Sequence, residues 1–261
     1  MIEDFLNAIS NFRRNKTRTF LSLLGIIIGV ASVIVIMSMG QSSSQEIEGT
    51  FGSSGLDMVS ITKGFFRRNR SAVTINFDEE FREELFGEIE GIKKIWYENN
   101  LSATVSYDQT SASASCTAVE TGYMQTFGMQ LEYGDYFSVT DDVMGQQKII
   151  LGSDIASTLF PNGDALGKYV LVVTNKVRFS FEVTGVLKEQ NSGMENTTSS
   201  CYIPRGFYEK KISPNPKAST VMVQAISKSR TTKLLEEIET YCTEKTGTEG
   251  SVNVMSMQAM I

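Results

Sequence analysis

Thr19–Gly40 reads TFLSLLGIIIGVASVIVIMSMG, 22 residues without a charge. As a helix rising about 1.5 Å per residue it would be about 33 Å long, enough to cross a hydrocarbon core of about 30 Å. A buried helix of a water-soluble domain keeps a polar face, and this stretch has none. A cleaved leader would carry an apolar run of only about 7–15 residues. The stretch is therefore expected to be a retained transmembrane helix. Within it Ser22, Gly25, Gly29 and Ser32 recur at intervals of three and four, a small-residue stripe suited to close packing against other membrane helices.

On the N-terminal side, Ile2, Phe5, Leu6, Ile9 and Phe12 fall on one helical face, and Arg13, Arg14, Lys16 and Arg18 follow. This pattern predicts an amphipathic helix at the membrane surface, anchored by its cations on the cytoplasmic side. Charge is uneven along the chain. Residues 1–18 hold four cations against two carboxylates, and the remainder holds 20 against 28. So acidic an outer segment argues against nucleic-acid binding.

The 221 residues after Gly40 suffice for one large domain or two small ones. The chain has no histidine, which removes Ser-His-Asp and Cys-His catalysis and the HExxH zinc site. Cys116, Cys201 and Cys242 are odd in number and lack any CxxC spacing, so they read as small semi-buried side chains. No glycine-rich phosphate loop is present. Gly163–Lys168 imitates one, but its glycines are too close and no Ser or Thr follows the lysine. Asp141-Asp142 and Glu79-Glu80 are adjacent carboxylates that caps or solvated faces explain. No cofactor is implied.

Gln41–Glu48 could extend the apolar helix outward as a stalk, and Phe51–Gly55 breaks it. A strand over Leu56–Thr62 follows, then a basic-aromatic patch at Lys63–Ser71. A helix begins at Asn76 or Asp78, with Glu79 completing a capping box from Asn76. It buries Phe81, Leu85 and Ile89 and ends at Gly91, and Ile92–Tyr97 is a strand. The alternation in Leu101–Glu120 predicts an exposed hairpin. Residues 121–146 look irregular around a short helix near Tyr123–Phe127. Lys148–Gly152 is a strand. A helix capped by Ser153 and stopped by Pro161 comes next, then strands over Lys168–Thr174, Phe179–Leu187 and Ser200–Pro204. Ser219–Ile226, a long helix capped by Ser229 or Thr231, and Ser251–Met257 form a second β-α-β unit. The fold class is α+β, with two β-α-β flanks around a β-rich insertion.

Asn15–Arg18 (NKTR) and Leu21–Ile34 (LSLLGIIIGVASVI) resemble the first transmembrane helix of MacB-type ABC transporter permeases, the FtsX-like group. Further landmarks are similar and in order: Tyr133–Phe137 (YGDYF), Ile150–Phe160 (ILGSDIASTLF), Gly167-Lys168, Phe181–Leu187 (FEVTGVL) and Tyr202–Pro204 (YIP). The resemblance implies a cytoplasmic segment 1–18, a transmembrane helix 19–40 and a stalk 41–55. It further implies a Porter-like subdomain from 56–100 and 205–261, and a Sabre-like subdomain from 101–204. It implies a non-enzymatic permease subunit in a bacterial cell membrane, coupled to a separate ABC ATPase and a second permease copy. Such a permease would contact lipid and export peptides, antibiotics or lipoproteins, with an adaptor or outer-membrane partner left open. The family's three further spans would begin at Ile261, so a truncated chain is expected. The rival reading is a single-pass anchored outer domain that senses or binds a ligand.

Overall fold

A computed structural model of the chain describes residues 17, 21, 24–35, 55–64, 74–174, 177–189 and 197–256. The chain divides into two compact units, Met1–Gly49 and Thr50–Ile261. In the first, residues 24–35 are helical and every one of them is exposed. Among the described residues no helix is long and apolar enough to cross a membrane. The described part of the predicted span corresponds to about 18 Å of helix. Several expectations lie outside the described residues: Arg13, Arg14, Lys16, Arg18 and Ser22, the stalk as far as residue 54, and residues 65–71 of the basic-aromatic patch.

The second unit runs β1 (Met58–Lys63), α1 (Glu79–Glu88), β2 (Ile92–Tyr107), β3 (Thr110–Val119), α2 (Tyr123–Thr126), β4 (Leu131–Gly134), α3 (Val139–Met144) and β5 (Lys148–Leu151). It continues with α4 (Ser153–Leu159), β6 (Tyr169–Thr174), β7 (Val177–Leu187), β8 (Ser200–Pro204), β9 (Thr220–Ala225), α5 (Thr231–Thr246) and β10 (Val252–Ser256). A helical turn, Arg205–Phe207, leads out of β8.

Four strands from the two flanks pair antiparallel in the order β10-β1-β9-β2. This is a split β-α-β arrangement, with each unit's strands separated by one from the other unit. Because side chains alternate along a strand, Val59, Ile61, Ile95, Tyr97, Val221 and Val223 share one face. They meet Phe81 and Leu85 of α1 and Leu234, Ile238 and Cys242 of α5 in one cluster. The alternate residues Met58, Trp96 and Met222 turn to the other face. There they pack with Tyr123, Met124, Phe137 and Tyr202.

With β2, five of the remaining strands close a ring, and β4 pairs antiparallel with β7 outside it. β2 pairs β3, β3 pairs β8, β8 pairs β5, β5 pairs β7, β7 pairs β6, and β6 returns to β2. Closure leaves no strand edge along the joined segments, which removes unpaired backbone groups. Val105, Ile149, Leu151, Val170, Phe181 and Ile203 join Ile155 and Leu159 of α4 in a second cluster. β2 belongs to both structures: Ile92–Glu98 pairs with β9 and Glu98–Tyr107 with β3. The division expected at 100/101 thus falls inside one continuous strand.

Local chemistry corrects several boundaries. Asp78, not Asn76, caps α1, its carboxylate accepting from Phe81 N at 3.2 Å. The cap of α4 is Gly152, not Ser153. A Cβ on Gly152 would lie 2.2–2.7 Å from the carbonyl oxygens of Thr197, Thr198 and Ser200, so no capping side chain fits there. Arg230, without a side-chain cap bond, precedes α5 in place of Ser229 or Thr231. The supposedly irregular 121–146 contains β4 and α3. α3 is fixed by a Ser138–Asp141 capping box.

Candidate functional site

β3 and β8 run parallel and in register, Val119 opposite Pro204. Their next residues, Glu120 and Arg205, meet where the two clusters adjoin. Arg205 enters from the strand end with only 6% of its side chain exposed. Its Nη1 lies 3.3 Å from Glu120 Oε1, its Nε donates to Asn99 Oδ1 at 3.2 Å, and its Nη2 donates to Pro216 O at 3.4 Å. Arg82 of α1 donates from Nη2 to the same Glu120 Oε1 at 2.5 Å. Glu120 Oε2 accepts from Tyr97 N at 3.2 Å. Glu79 completes the cluster, 3.1 Å from Arg82 Nε and 3.8 Å from Arg205 Nη1.

Both guanidinium groups lie near the Tyr97 ring, Arg82 at 4.1 Å and Arg205 at 5.2 Å from its centre. Cations over an aromatic face gain most where water is excluded. The phenol donates to Asp78 O at 2.5 Å. Burial pushes its pKa well above the usual tyrosine value, against the opposing pull of Arg82. Burial disfavours the Arg82 charge, but Glu120 and Glu79 more than offset this and the pKa is raised. One cluster therefore fastens α1, β2, β3, β8 and the chain before β9. It offers charge pairing and shape. It presents no free nucleophile, and Tyr97 is poorly placed to give up its proton.

A second clamp sits one residue further along both strands. Asp142 Oδ2 accepts from Thr121 N at 2.9 Å and Asp142 Oδ1 from Gly206 N at 2.8 Å. Asp141 accepts from Ser138 N at 2.9 Å and pairs with Lys148 at 2.7 Å. Asp141 is thus a cap, one of the two roles the sequence suggests, whereas Asp142 is neither a cap nor a solvated face but a bridge between two chain segments. Gly25 and Gly29, predicted to pack, have nothing within 4 Å of a Cβ built on either. Ser32 Oγ donates to Ile28 O at 2.8 Å. Of Glu79-Glu80, only Glu79 joins the cluster. Glu120, Arg205 and Tyr97 escaped the sequence reading; their one signal is the polar run Tyr97–Asn100 inside an apolar strand.

Residues 19–241 match the MacB-like periplasmic core domain. The chain belongs to that family. The MacB-like chain is 27% identical over 99% of its length to an uncharacterized ABC transporter permease, YknZ, of Bacillus subtilis, and covers 64% of that relative. It is 30% identical over 73% of its length to the macrolide export ATP-binding/permease protein MacB of Marinobacter nauticus, covering 29% of it. The extracellular domain of YknZ matches 76% of the chain with TM-score 0.61 and 24% identity. The periplasmic region of MacB from Actinobacillus actinomycetemcomitans matches 82% with TM-score 0.62 and 18% identity. These two likenesses show the fold of the MacB-like domain.

Three of the domain's carboxylates predict its acid response. For Asp141, burial favours the neutral acid, but the bonds from Lys148 and Ser138 outweigh it and the pKa is lowered. Lys245 and Tyr241 lower that of Glu84, and Arg230 lowers that of Glu237. A lowered folded-state pKa contributes stability that is complete above the unfolded value, about 4, and disappears as pH falls through the folded value. The urea midpoint is expected to drop between about pH 5 and pH 3. In Asp141→Asn the drop should be smaller and start from a lower midpoint. A midpoint independent of pH over this range would refute the assignment.

Proposed function

We propose that this chain is part of an ABC permease, contributing a first membrane helix and the outer domain that the helix moves. The observation that carries this is the family match from residue 19, which takes in the apolar stretch as well as the domain. The uniformly exposed apolar residues 24–35 support it, because a helix apolar all round is at home in lipid and not in water. In this reading residues 1–18 lie in the cytoplasm and those after about 41 outside. A separate ATPase subunit supplies the work, a second permease copy completes the assembly, and the chain itself performs no catalysis.

The outer domain comprises a Porter-like part from 56–100 and 205–261 and a Sabre-like part from 101–204. Strand β2 passes through both, and the Arg205–Glu120 cluster fastens them. A transmitter needs such a joint, because a displacement applied to one part is lost unless the other follows. Peptides, antibiotics or lipoproteins are the cargo class.

The test is affinity capture of the chain from detergent-solubilised membranes of its own cells. An ABC ATPase is expected in the eluate, with a second permease copy. Gly25→Leu or Gly29→Leu should lower recovery of that copy at least several-fold, since a leucine holds helices apart where glycine lets them touch. Capture with no ATPase would overturn the permease reading in favour of a single-pass anchored sensor.

A further inference from the structure

Cys116 of β3 and Cys201 of β8 are register partners on neighbouring parallel strands. Strands so paired lie about 4.8 Å apart, inside the Cα separation of about 4.4–6.8 Å that a disulfide spans. Directly opposite residues of a parallel pair point to the same face. Here that face is the core of the ring, where Cys116 is 1% and Cys201 0% exposed. The neighbouring Cys116 thiol, with burial, pushes the Cys201 thiol well up. Cys242 belongs to the other cluster, on α5, and burial pushes it up to about 12. All three are free cysteines in the structure.

We propose that Cys116 and Cys201 are an oxidisable pair that closes to an intrachain disulfide as the domain folds in the presence of a disulfide-bearing thiol oxidant. One cysteine thiolate attacks the oxidant's sulfur and expels a thiolate. The second attacks the resulting mixed disulfide and expels another. Two cysteine thiols thus lose two protons and two electrons, and one oxidant disulfide becomes two thiols. The timing follows from burial: once β8 lies between β3 and β5, neither sulfur is exposed to an incoming oxidant. The bond therefore forms before the ring closes and is shielded from reductants afterwards. It would join the strand pair that leads into Glu120 and Arg205, four residues beyond the sulfurs in each segment. The closed loop spans residues 116–201, and constraining a loop that long favours the folded state.

The test uses the full chain, unfolded with reductant and refolded in detergent with either a glutathione redox pair or reductant alone. It is then denatured without reductant, alkylated with iodoacetamide and weighed. One alkyl group is expected after oxidative refolding, on Cys242, and three after reductive refolding. The oxidised form should melt about 5–10 °C higher. Cys116→Ser should carry two alkyl groups in both arms. Chain extracted from a host whose outer compartment is oxidising is alkylated in parallel, so that the answer does not hinge on refolding. Three alkyl groups in every arm, glutathione adducts alone, or a bridge to Cys242 would overturn the proposal. None of these outcomes alters the ATPase capture, so the two readings fail separately.

Discussion

Replacing Arg205 with alanine is expected to lower the free energy of unfolding by about 3–5 kcal/mol, the cost of breaking a buried ion pair by removing one partner. Three acceptors lose a donor at once: Glu120 Oε1, Asn99 Oδ1 and Pro216 O. The Asn99 amide and the Pro216 carbonyl cannot turn to bulk water readily, because both residues are buried and the guanidinium filled the space beside them. Glu120 keeps Arg82, and so retains part of its compensation. Arg82→Ala should therefore cost less, about 1–2 kcal/mol, since the Arg82 side chain is 21% exposed and water can replace some of what it gave. Arg205→Lys should fall between the two. A lysine restores the charge but cannot direct donors at once to a carboxylate, an amide oxygen and a backbone carbonyl. Urea unfolding of the full chain in detergent, followed by tryptophan emission from Trp96, measures all three. A loss below about 1 kcal/mol for Arg205→Ala would show that the cluster is solvated and holds nothing.

The flanking β-α-β units could be read from the sequence because their signals are local. Phe81 and Leu85 are one turn apart, as are Leu234 and Ile238, and the strands beside them alternate over short spans. The ring could not be read. Its closing contact sets Thr104–Ser106 of β2 against Leu171–Val173 of β6, more than sixty residues away, and both segments look like ordinary half-exposed strands. α3 was missed for a different reason. Ser138 and Asp141 spell a capping box, but Val139, Val143 and Met144 are the exposed residues, so the helix shows no conventional inward apolar face.

The junction was legible only as an anomaly. Tyr97-Glu98-Asn99-Asn100 interrupts the apolar alternation of β2, a pattern that fits either buried polar groups or the strand end expected after Tyr97. Deciding otherwise needs the partners, and these arrive from Glu120, Arg205 and Lys217, up to 118 residues away. The resemblance to MacB-type permeases fixed the family without revealing this cluster, since its landmark stretches stop at Pro204, one residue before the arginine.

Gly206→Ala is expected to destabilise by about 3 kcal/mol or more, at the upper end of what added volume costs in a packed core. A Cβ at that position would stand 1.8 Å from Asp142 O and 2.8 Å from Asp142 C. Both are backbone atoms of α3, whose Asp142 carbonyl accepts from Gly145 N at 2.9 Å, so no side chain can swing aside. Relief requires α3 to move off the turn after β8. That movement breaks the bond from Gly206 N to Asp142 Oδ1 and loosens the one from Thr121 N to Asp142 Oδ2. Gly87→Ala provides the contrast. It lies in α1 with nothing within 4 Å of its Cβ, and should stabilise by about 0.5–1 kcal/mol through helix propensity alone. Thermal melts measure both, and hydrogen exchange of the α3 amides localises the first. A Gly206→Ala protein with an unchanged melt would mean that the turn and α3 are not in fixed contact. Since Arg205 is adjacent, the double variant with Arg205→Ala should lose less than the sum of the single losses. Strict additivity would instead make the charge cluster and the Asp142 clamp two independent fastenings, each yielding without the other when the domain is pulled.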